Sequence, residues 1–232
     1  MLVNLEYVLK IAEEKNCAIG SFNTPNLENM IAVISAAEEL NVPVIIMHAQ
    51  CHEEYAPLDI VGPIMLLMAK KAKVPVCVHL DHCEDLDYLK RAIDIGFTSV
   101  MLDASSLPYD ENVKMTKEAV SLAHPKNISV EAEIGVLGGR EAGNQKPLTK
   151  EEMYTDPDLA KKFVDDTNID ALACSFGTAH GIYKVKPELD FDRIKKINKL
   201  CNLPLVMHGG SGVSSEDYVK AIKCGVRKIN YY

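Results

Sequence analysis

Three histidines stand where short apolar segments of the chain give way to polar residues. They are His82, His180 and His208, at or next to the ends of VPVCVHLDH (74–82), ALACSFGTAHG (171–181) and LPLVMHGG (203–210). Imidazoles from separate segments that meet at one point would hold a divalent metal ion and leave a fourth coordination position open. The alternative for any single one of these histidines is a hydrogen-bonded structural role.

Asp81 directly precedes His82, so an acid/base group and a metal ligand would be neighbours in the chain. Successive side chains of a strand point to opposite faces, but a turn at the strand end can bring both into one site. The alternative is that Asp81 caps the helix predicted over residues 84–93, although Asp85 could cap it instead. Counting back from His82 along the strand predicts that His79 points to the opposite face.

Glu141 lies in the longest irregular segment of the chain, residues 135–157. A loop of this length in a compact domain is usually functional, and a tolerated surface insertion is the alternative. If the loop closes over a bound substrate, Glu141 is a candidate base in a site from which water is excluded.

Two glycine-containing stretches are typical of phosphate binding. They are HGGSG (208–212), just before a helix predicted from Ser214, and TAHGIYK (178–184). Backbone N–H groups in such loops bind phosphate, above all where a helix begins, and Lys184 could add a point charge. The alternatives are a tight turn for the glycines and a solvated side chain for Lys184.

The elements that must position these residues alternate along the chain. Apolar segments that predict strands, separated by amphipathic helical patterns, lie at 17–23, 42–49, 74–82, 99–105, 128–135, 171–181, 203–210 and 226–232. Strands this apolar are typical of a parallel sheet buried on both faces. Strands alternating with helices in this way predict an α/β fold, a (β/α)₈ TIM barrel. An open, doubly wound sheet is the alternative.

In a barrel the C-terminal ends of the strands form one face, where functional residues gather. Further polar residues at these predicted ends are Asn23, His48, Asp103, Glu131, Glu133 and Asn230. The last strand reaches Tyr232 with no helix after it, whereas a typical barrel has ~250 residues and closes with an eighth helix. We therefore expect a single TIM-barrel catalytic domain over residues 1–232 that lacks its final C-terminal helix.

The composition fits a globular domain without an anionic partner. Of the 232 residues 47% are hydrophobic, enough for a sizeable core, and the net charge is −8. This charge argues against binding to nucleic acid or to an anionic membrane surface. The seven cysteines form no CxxC pair, which fits a reducing cytosol. No signal peptide or membrane span is visible, and we expect a cytoplasmic protein.

These residues together resemble the class II, metal-dependent fructose-bisphosphate aldolases and their tagatose-bisphosphate relatives. The resemblance runs essentially from Met1 to Tyr232. Its motifs are GSFNT (20–24), VHLDHC (78–83), VMLDAS (100–105), VEAEIGVLGG (130–139), SFGTAHGIYK (175–184), LVMHGGSG (205–212) and KIN (228–230). Any one of them is a modest signal, whereas all of them in this order and spacing are a strong one.

The resemblance implies roles for individual residues. The zinc ligands would be His82, His180 and His208. Asp81 corresponds to the acid/base residue for the aldehyde half of the substrate, and Glu141 to the loop base for the dihydroxyacetone-phosphate half. The acids Asp103 and Glu133 would lie near the metal. The substrate and phosphate positions would be Asn23, Gly181, Lys184, Gly209, Ser211 and Asn230. The family also holds a monovalent cation, Na⁺ or K⁺, near the glycine loops.

The implied activity is the reversible cleavage of the C3–C4 bond of fructose 1,6-bisphosphate to dihydroxyacetone phosphate and glyceraldehyde 3-phosphate. Zinc would stabilise the carbanion as a Lewis acid, and Asp81 would remove the C4 hydroxyl proton. The class I route needs a Schiff-base lysine, and the predicted sixth strand, ALACSFGTAH, contains none. The resemblance further implies a glycolytic role in carbohydrate metabolism and a homodimer or homotetramer.

The chain departs from the family pattern directly after Asn230. Tyr231 and Tyr232 follow it, and Tyr232 replaces an acidic or amide residue that serves phosphate and diol recognition. Fructose and tagatose bisphosphates differ at C4, and HGGSG slightly favours fructose. A sugar-phosphate epimerase or isomerase on the same barrel is a second hypothesis. A catalytically inactive barrel kept for binding is a third, against which the retained acids and histidines argue.

Overall fold

The apolar segments of the sequence form eight parallel strands that close into a barrel. The computed structural model describes residues 1–135, 154–178, 187–210 and 212–231. The strands are β1 (Ile19–Asn23), β2 (Val44–Ala49), β3 (Val76–Cys83), β4 (Ser99–Leu102), β5 (Ser129–Ile134), β6 (Ala171–Cys174), β7 (Leu205–Met207) and β8 (Val226–Tyr231). Each pairs with the next along the chain, and β8 pairs with β1. The predicted TIM barrel is confirmed, and closure rules out an open sheet.

Eight α-helices lie among the described residues; seven of them surround the barrel, and α1 covers one of its ends. They are α1 (Leu5–Lys15), α2 (Leu27–Leu40), α3 (Leu58–Lys71), α4 (Leu86–Ile95), α5 (Tyr109–Ala123), α6 (Pro157–Thr167), α7 (Phe191–Cys201) and α8 (Ser215–Cys224). Their boundaries follow from capping residues. Asp156 accepts the N–H groups of Asp158 and Leu159 where α6 begins, and Asn168 ends that helix in the left-handed conformation that asparagine tolerates.

Helix α1 covers the N-terminal end of the barrel. Its residues Leu5, Val8 and Leu9 are buried in a cluster with inward-facing strand residues such as Met47 and Val206. A two-residue strand, Leu2–Val3, precedes α1 and pairs with the start of β3. One end of the barrel is thus apolar and closed, which leaves the C-terminal ends of the strands as the polar face.

A larger hydrophobic cluster fills the space between the strands and the outer helices. It contains the fully buried rings of Phe97, Phe163 and Phe176. All seven cysteines are free thiols. Five of them are buried in this core or in the barrel interior: Cys77, Cys83, Cys174, Cys201 and Cys224. Among the described helices none has the length and apolar character needed to cross a membrane.

Candidate active site

Polar side chains gather at the C-terminal ends of the strands. Asp81 and His82 lie near the end of β3, Asp103 follows β4, His208 follows β7, and Asn230 lies near the end of β8. All are buried except His82, whose side chain is 20% exposed. Other predicted positions lie outside the described residues: Glu141, His180, Gly181, Lys184, Ser211 and Tyr232.

A break in the regular strand geometry brings Asp81 and His82 to the same site. His82 has a φ of +42°, and the register between β3 and β4 shifts between Leu80 and Cys83. A left-handed conformation costs a residue other than glycine roughly 1–2 kcal/mol. Asp85 caps α4 by accepting the N–H of Asp87 at 2.8 Å. The predicted turn is therefore present, and Asp85 provides the cap.

The imidazoles of His82 and His208 face each other. His82 Nε2 lies 2.8 Å from His208 Nδ1. Their other ring nitrogens face carboxylates: His82 Nδ1 is 2.8 Å from Asp103 Oδ2, and His208 Nε2 is 2.9 Å from Glu131 Oε1. An ionised carboxylate only accepts hydrogen bonds, so these outer nitrogens carry the hydrogen. The two inner nitrogens are then the ones suited to bind a metal.

The described residues fit a divalent cation at this point. Asp81, His82 and His208 each offer one ligand atom, and these atoms lie within 4.8 Å of one another. An overlapping group of the same kind consists of His82, Asp103 and Glu133. Imidazole nitrogen with carboxylate oxygen is a donor set that suits zinc and similar metals.

The electrostatic field at His82 favours positive charge. Burial lowers the pKa of His82, but the carboxylates of Asp81, Asp103 and Glu133 outweigh this effect and raise it to about 9. The same carboxylates would attract a divalent cation.

Comparison with known proteins identifies the family of this chain. The family model described as fructose-bisphosphate aldolase class-II matches residues 3–232. The chain belongs to the class II aldolase family. A similar curated relative is the 6-phospho-5-dehydro-2-deoxy-D-gluconate aldolase of Halalkalibacterium halodurans, 42% identical over 99% of this chain and 79% of the relative. The fructose-bisphosphate aldolase of Giardia intestinalis is 40% identical over 99% and 78%.

A solved aldolase structure has the same fold over the whole chain. The crystal structure of the YdjI aldolase from Escherichia coli K12 is 38% identical, with a TM-score of 0.90, and the match covers 100% of this chain and 81% of that one. The class II assignment suggested by the sequence motifs is therefore confirmed, and the chain is a member of a family of lyases.

Asn230 contacts both the acid and one imidazole of the candidate site. Its Nδ2 lies 3.1 Å from Asp81 Oδ1 and 3.2 Å from His208 Nδ1. Its Oδ1, and that of Asn23 at the end of β1, are buried without a hydrogen-bond partner among the described residues. Buried polar atoms without partners are costly. Each of these two oxygens can accept a hydrogen bond.

Gly209 directly follows His208 and turns the chain toward α8. Its φ of +63° lies in the region that glycine adopts at little cost. Gly210 follows, and its carbonyl oxygen accepts a hydrogen bond from the hydroxyl group of Tyr218 on α8. This predicted phosphate position therefore lies beside the candidate site, between His208 and the start of α8.

The sequence prediction for His79 was wrong. Its side chain points into the barrel, where Nδ1 is 2.8 Å from Ser99 Oγ and Nε2 is 3.4 Å from Lys228 Nζ. Lys228 was not singled out by the sequence, although a lysine inside the apolar pattern VRKINYY was the available signal. Its Nζ lies 2.8 Å from Glu131 Oε2, and both side chains are fully buried.

His48, at the end of β2, has a structural environment. Its Nε2 lies 2.9 Å from the hydroxyl of Tyr88, which donates to Glu53 Oε2 at 2.7 Å. Burial is the main cause that lowers the pKa of His48 to about 4, and the neighbouring His52 adds to it. His48 is therefore neutral near neutral pH, and its contact with the Tyr88 hydroxyl group gives it a structural role.

Proposed function

We propose that this class II aldolase is zinc-dependent and cleaves fructose 1,6-bisphosphate reversibly to dihydroxyacetone phosphate and glyceraldehyde 3-phosphate. The observation that carries the proposal is the meeting of His82 Nε2 and His208 Nδ1, 2.8 Å apart, with a carboxylate oxygen of Asp81 within 4.8 Å of them. Relatives named fructose-bisphosphate aldolase, 40–41% identical, support the substrate.

Two residues of the chain, Asp81 and Glu141, carry out the proton transfers. Asp81 takes the proton from the C4 hydroxyl group during cleavage and returns it during condensation. Asn230 orients Asp81 through the 3.1 Å contact with its carboxylate. Glu141, which lies outside the described residues, protonates the dihydroxyacetone-phosphate half. These roles follow the positions of the residues in the family motifs.

The metal site has three histidines in this proposal. His82 and His208 meet directly, and His180, which lies outside the described residues, is the third ligand. A zinc ion held there supplies Lewis acidity, which stabilises the negative charge left when the C–C bond breaks. Asp103 orients His82 through a 2.8 Å contact, and Glu133 adds negative charge nearby.

Substrate binding is assigned to the glycine loops and strand ends. The proposed positions are Asn23, Gly181, Lys184, Gly209, Ser211 and Asn230. A monovalent cation, Na⁺ or K⁺, would bind near the same loops. The proposal also covers a single catalytic domain over residues 1–232, a glycolytic role, a cytoplasmic location and a homodimer or homotetramer without nucleic-acid or membrane partners.

Two other compounds are alternatives to fructose 1,6-bisphosphate as the substrate. Tagatose 1,6-bisphosphate differs only in configuration at C4. The relative from Halalkalibacterium halodurans is named for 6-phospho-5-dehydro-2-deoxy-D-gluconate. Cleavage of each of the three phosphorylated compounds at the equivalent bond yields a triose phosphate, so one detection method serves them all.

The test is a coupled assay for triose phosphate with each of the three substrates, before and after EDTA and after zinc is returned. We expect release from fructose 1,6-bisphosphate that EDTA stops and zinc restores. Release that persists in EDTA would contradict the zinc dependence. Interconverted sugar without any triose phosphate would indicate an isomerase or epimerase instead.

Replacement of Asp81 by Asn tests the proposed acid/base residue. Asp81→Asn keeps the shape of the side chain but removes its basicity, so we expect kcat for cleavage to fall roughly 10²–10⁴-fold while bound zinc is retained. Asp85→Asn is the matched control, because asparagine also caps helices and Asp85 only caps α4. Equal activities of the two variants would remove Asp81 from the chemistry.

A further inference from the structure

A group of ionisable side chains lies inside the barrel, beneath the candidate metal site. His79 on β3, Glu131 on β5 and Lys228 on β8 are each 0% exposed. Charges buried this deeply are costly unless they are paired. The Lys228 ammonium lies 2.8 Å from Glu131 Oε2, as an ion pair without the alignment of a good hydrogen bond.

His79 completes the surroundings of this ion pair. Burial and the neighbouring Lys228 keep the pKa of His79 well below its ordinary value, so its ring is neutral. Its Nε2, 3.4 Å from Lys228 Nζ, is then the acceptor, and its Nδ1–H donates to Ser99 Oγ at 2.8 Å. Lys228 is thus held between one imidazole and one carboxylate, and its charge faces Glu131.

Glu131 links the ion pair to the metal site. Its Oε2 faces Lys228, and its Oε1 lies 2.9 Å from His208 Nε2. Glu131 belongs to neither group of residues that could hold a metal among the described residues. Its position is therefore behind His208, on the side away from His82.

We propose that Glu131 and Lys228 are positioning residues: Glu131 holds His208 with Nδ1 turned toward His82, and Lys228 fixes Glu131 in place. The inference rests on the proposed function, in which His208 is a zinc ligand. A neutral imidazole has two tautomers and two ring orientations, and only one combination presents Nδ1 as a ligand here. Loss of such a carboxylate partner typically costs roughly 10–100-fold in metal affinity.

Two double variants isolate the hydrogen bond to His208 from the buried charge. Glu131→Met with Lys228→Met replaces the ion pair by apolar side chains, an exchange that is often neutral for stability. Glu131→Gln with Lys228→Met also removes both charges but keeps an oxygen that can accept the His208 Nε2–H. The two proteins differ at residue 131 in whether its side chain can accept that hydrogen bond.

Zinc affinity, measured by competition with a chromophoric chelator at fixed pH, is the main measurement. We expect the methionine pair to bind zinc roughly 10–100-fold more weakly than the wild type, and the glutamine variant to recover most of that loss. Lys228→Met alone should weaken zinc binding as well, because Glu131 is then no longer fixed in place behind His208. Equal affinity in the wild type and the methionine pair, or equal losses in the two double variants, would overturn the inference.

A second measurement responds to positioning and not to general stability. ¹⁵N chemical shifts of His208 in the metal-free proteins report which ring nitrogen carries the hydrogen. We expect the Nε2–H form in the wild type and the glutamine variant, and a mixture in the methionine pair. An unchanged tautomer in the methionine pair would count against the inference.

The same experiments separate this inference from the proposed function. A wild-type protein that binds no zinc, or a His208→Ala variant that binds zinc as tightly as the wild type, would remove the proposed metal site and this inference with it. A wild type that binds zinc through His208, with double variants of unchanged affinity, would remove the inference alone.

Discussion

At the scale of single residues, the backbone at His82 decides which side chains reach the site. With a φ of +42°, His82 interrupts the alternation of β3, so that Asp81 and His82 both contribute to the mouth of the barrel. A count back from His82 through this break assigns each earlier side chain of β3 to the wrong face. This is why the direction of His79 was wrongly predicted from the sequence. The pairing of β3 with β4 determines where the break falls, and the sequence of β3 alone does not contain that information.

A second residue-scale consequence concerns His48 and acid. Folded His48 has a pKa of about 4 because it is buried, whereas in the unfolded chain the value is ~6.5. The unfolded state therefore binds more protons between these values, and the free energy of unfolding falls as the pH falls from ~6.5 to ~4. For this one group the loss is about 2–3 kcal/mol.

Comparison of the wild type with His48→Gln measures that contribution. We expect the free energies of unfolding, obtained from urea titrations at several pH values, to converge as the pH falls through this range, since the variant has no proton to bind at residue 48. Curves that stay parallel between pH ~6.5 and ~4 would contradict the assignment of His48 as a buried neutral group.

At the scale of elements, the apolar runs were sufficient to predict the eight strands, and capping residues predicted where two of the helices begin. VPVCVHLDH became β3, and Asp85 caps the helix that follows it. The N-terminal helix α1 was not predicted to cover the barrel, because its amphipathic pattern does not reveal which apolar surface it meets. Packing partners of this kind depend on the closed barrel.

Two glycines that end helices provide an element-scale prediction. Gly96 after α4 and Gly225 after α8 both have positive φ, +113° and +122°. A Cβ added at Gly96 would meet only Leu66 Cδ1 at 3.4 Å, whereas one at Gly225 would come within 2.7 Å of Asn198 Cβ and 2.3 Å of its Cγ. Alanine is therefore strained at both positions and also clashes at Gly225.

We expect Gly96→Ala to cost ~1 kcal/mol and to lower the thermal midpoint by roughly 2–4 °C. Gly225→Ala should lower it by at least twice as much, because Asn198 must move as well. Differential scanning calorimetry of the two variants and the wild type measures the difference. A Gly225→Ala midpoint equal to that of Gly96→Ala would show that Asn198 moves without cost.

At the scale of the whole molecule, closure of the barrel brings distant parts of the chain together. His82 and His208 are 126 residues apart in sequence, yet their ring nitrogens lie 2.8 Å apart. Strand ends could be recognised in the sequence, and the family motifs predicted which polar residues have a role there. The contacts of Glu131 with Lys228 and His208 could not be foreseen, since they depend on the relative rotation of β5, β7 and β8 around the barrel.

Metal binding should consequently stabilise the entire barrel. A ligand present at about a thousand times its dissociation constant adds ~4 kcal/mol to the free energy of unfolding, or roughly 10 °C in a protein of this size. We expect zinc to raise the thermal midpoint of the EDTA-treated wild type by this amount. The increase should disappear in His208→Ala and persist in His124→Ala, which lies at the opposite end of the barrel, just before β5. A shift retained in His208→Ala would contradict its role as a ligand.

The buried cysteines can report local opening of the protein through their reaction with alkylating reagents. Alkylating reagents attack thiolates, and burial raises the pKa of Cys77 and Cys83 to about 12 and that of Cys201 to about 11. These thiols therefore react only when the segments around them open. Because they lie on strand β3 and on helix α7, the mass of each alkylated peptide would record how often its own part of the barrel opens, without any label having been introduced.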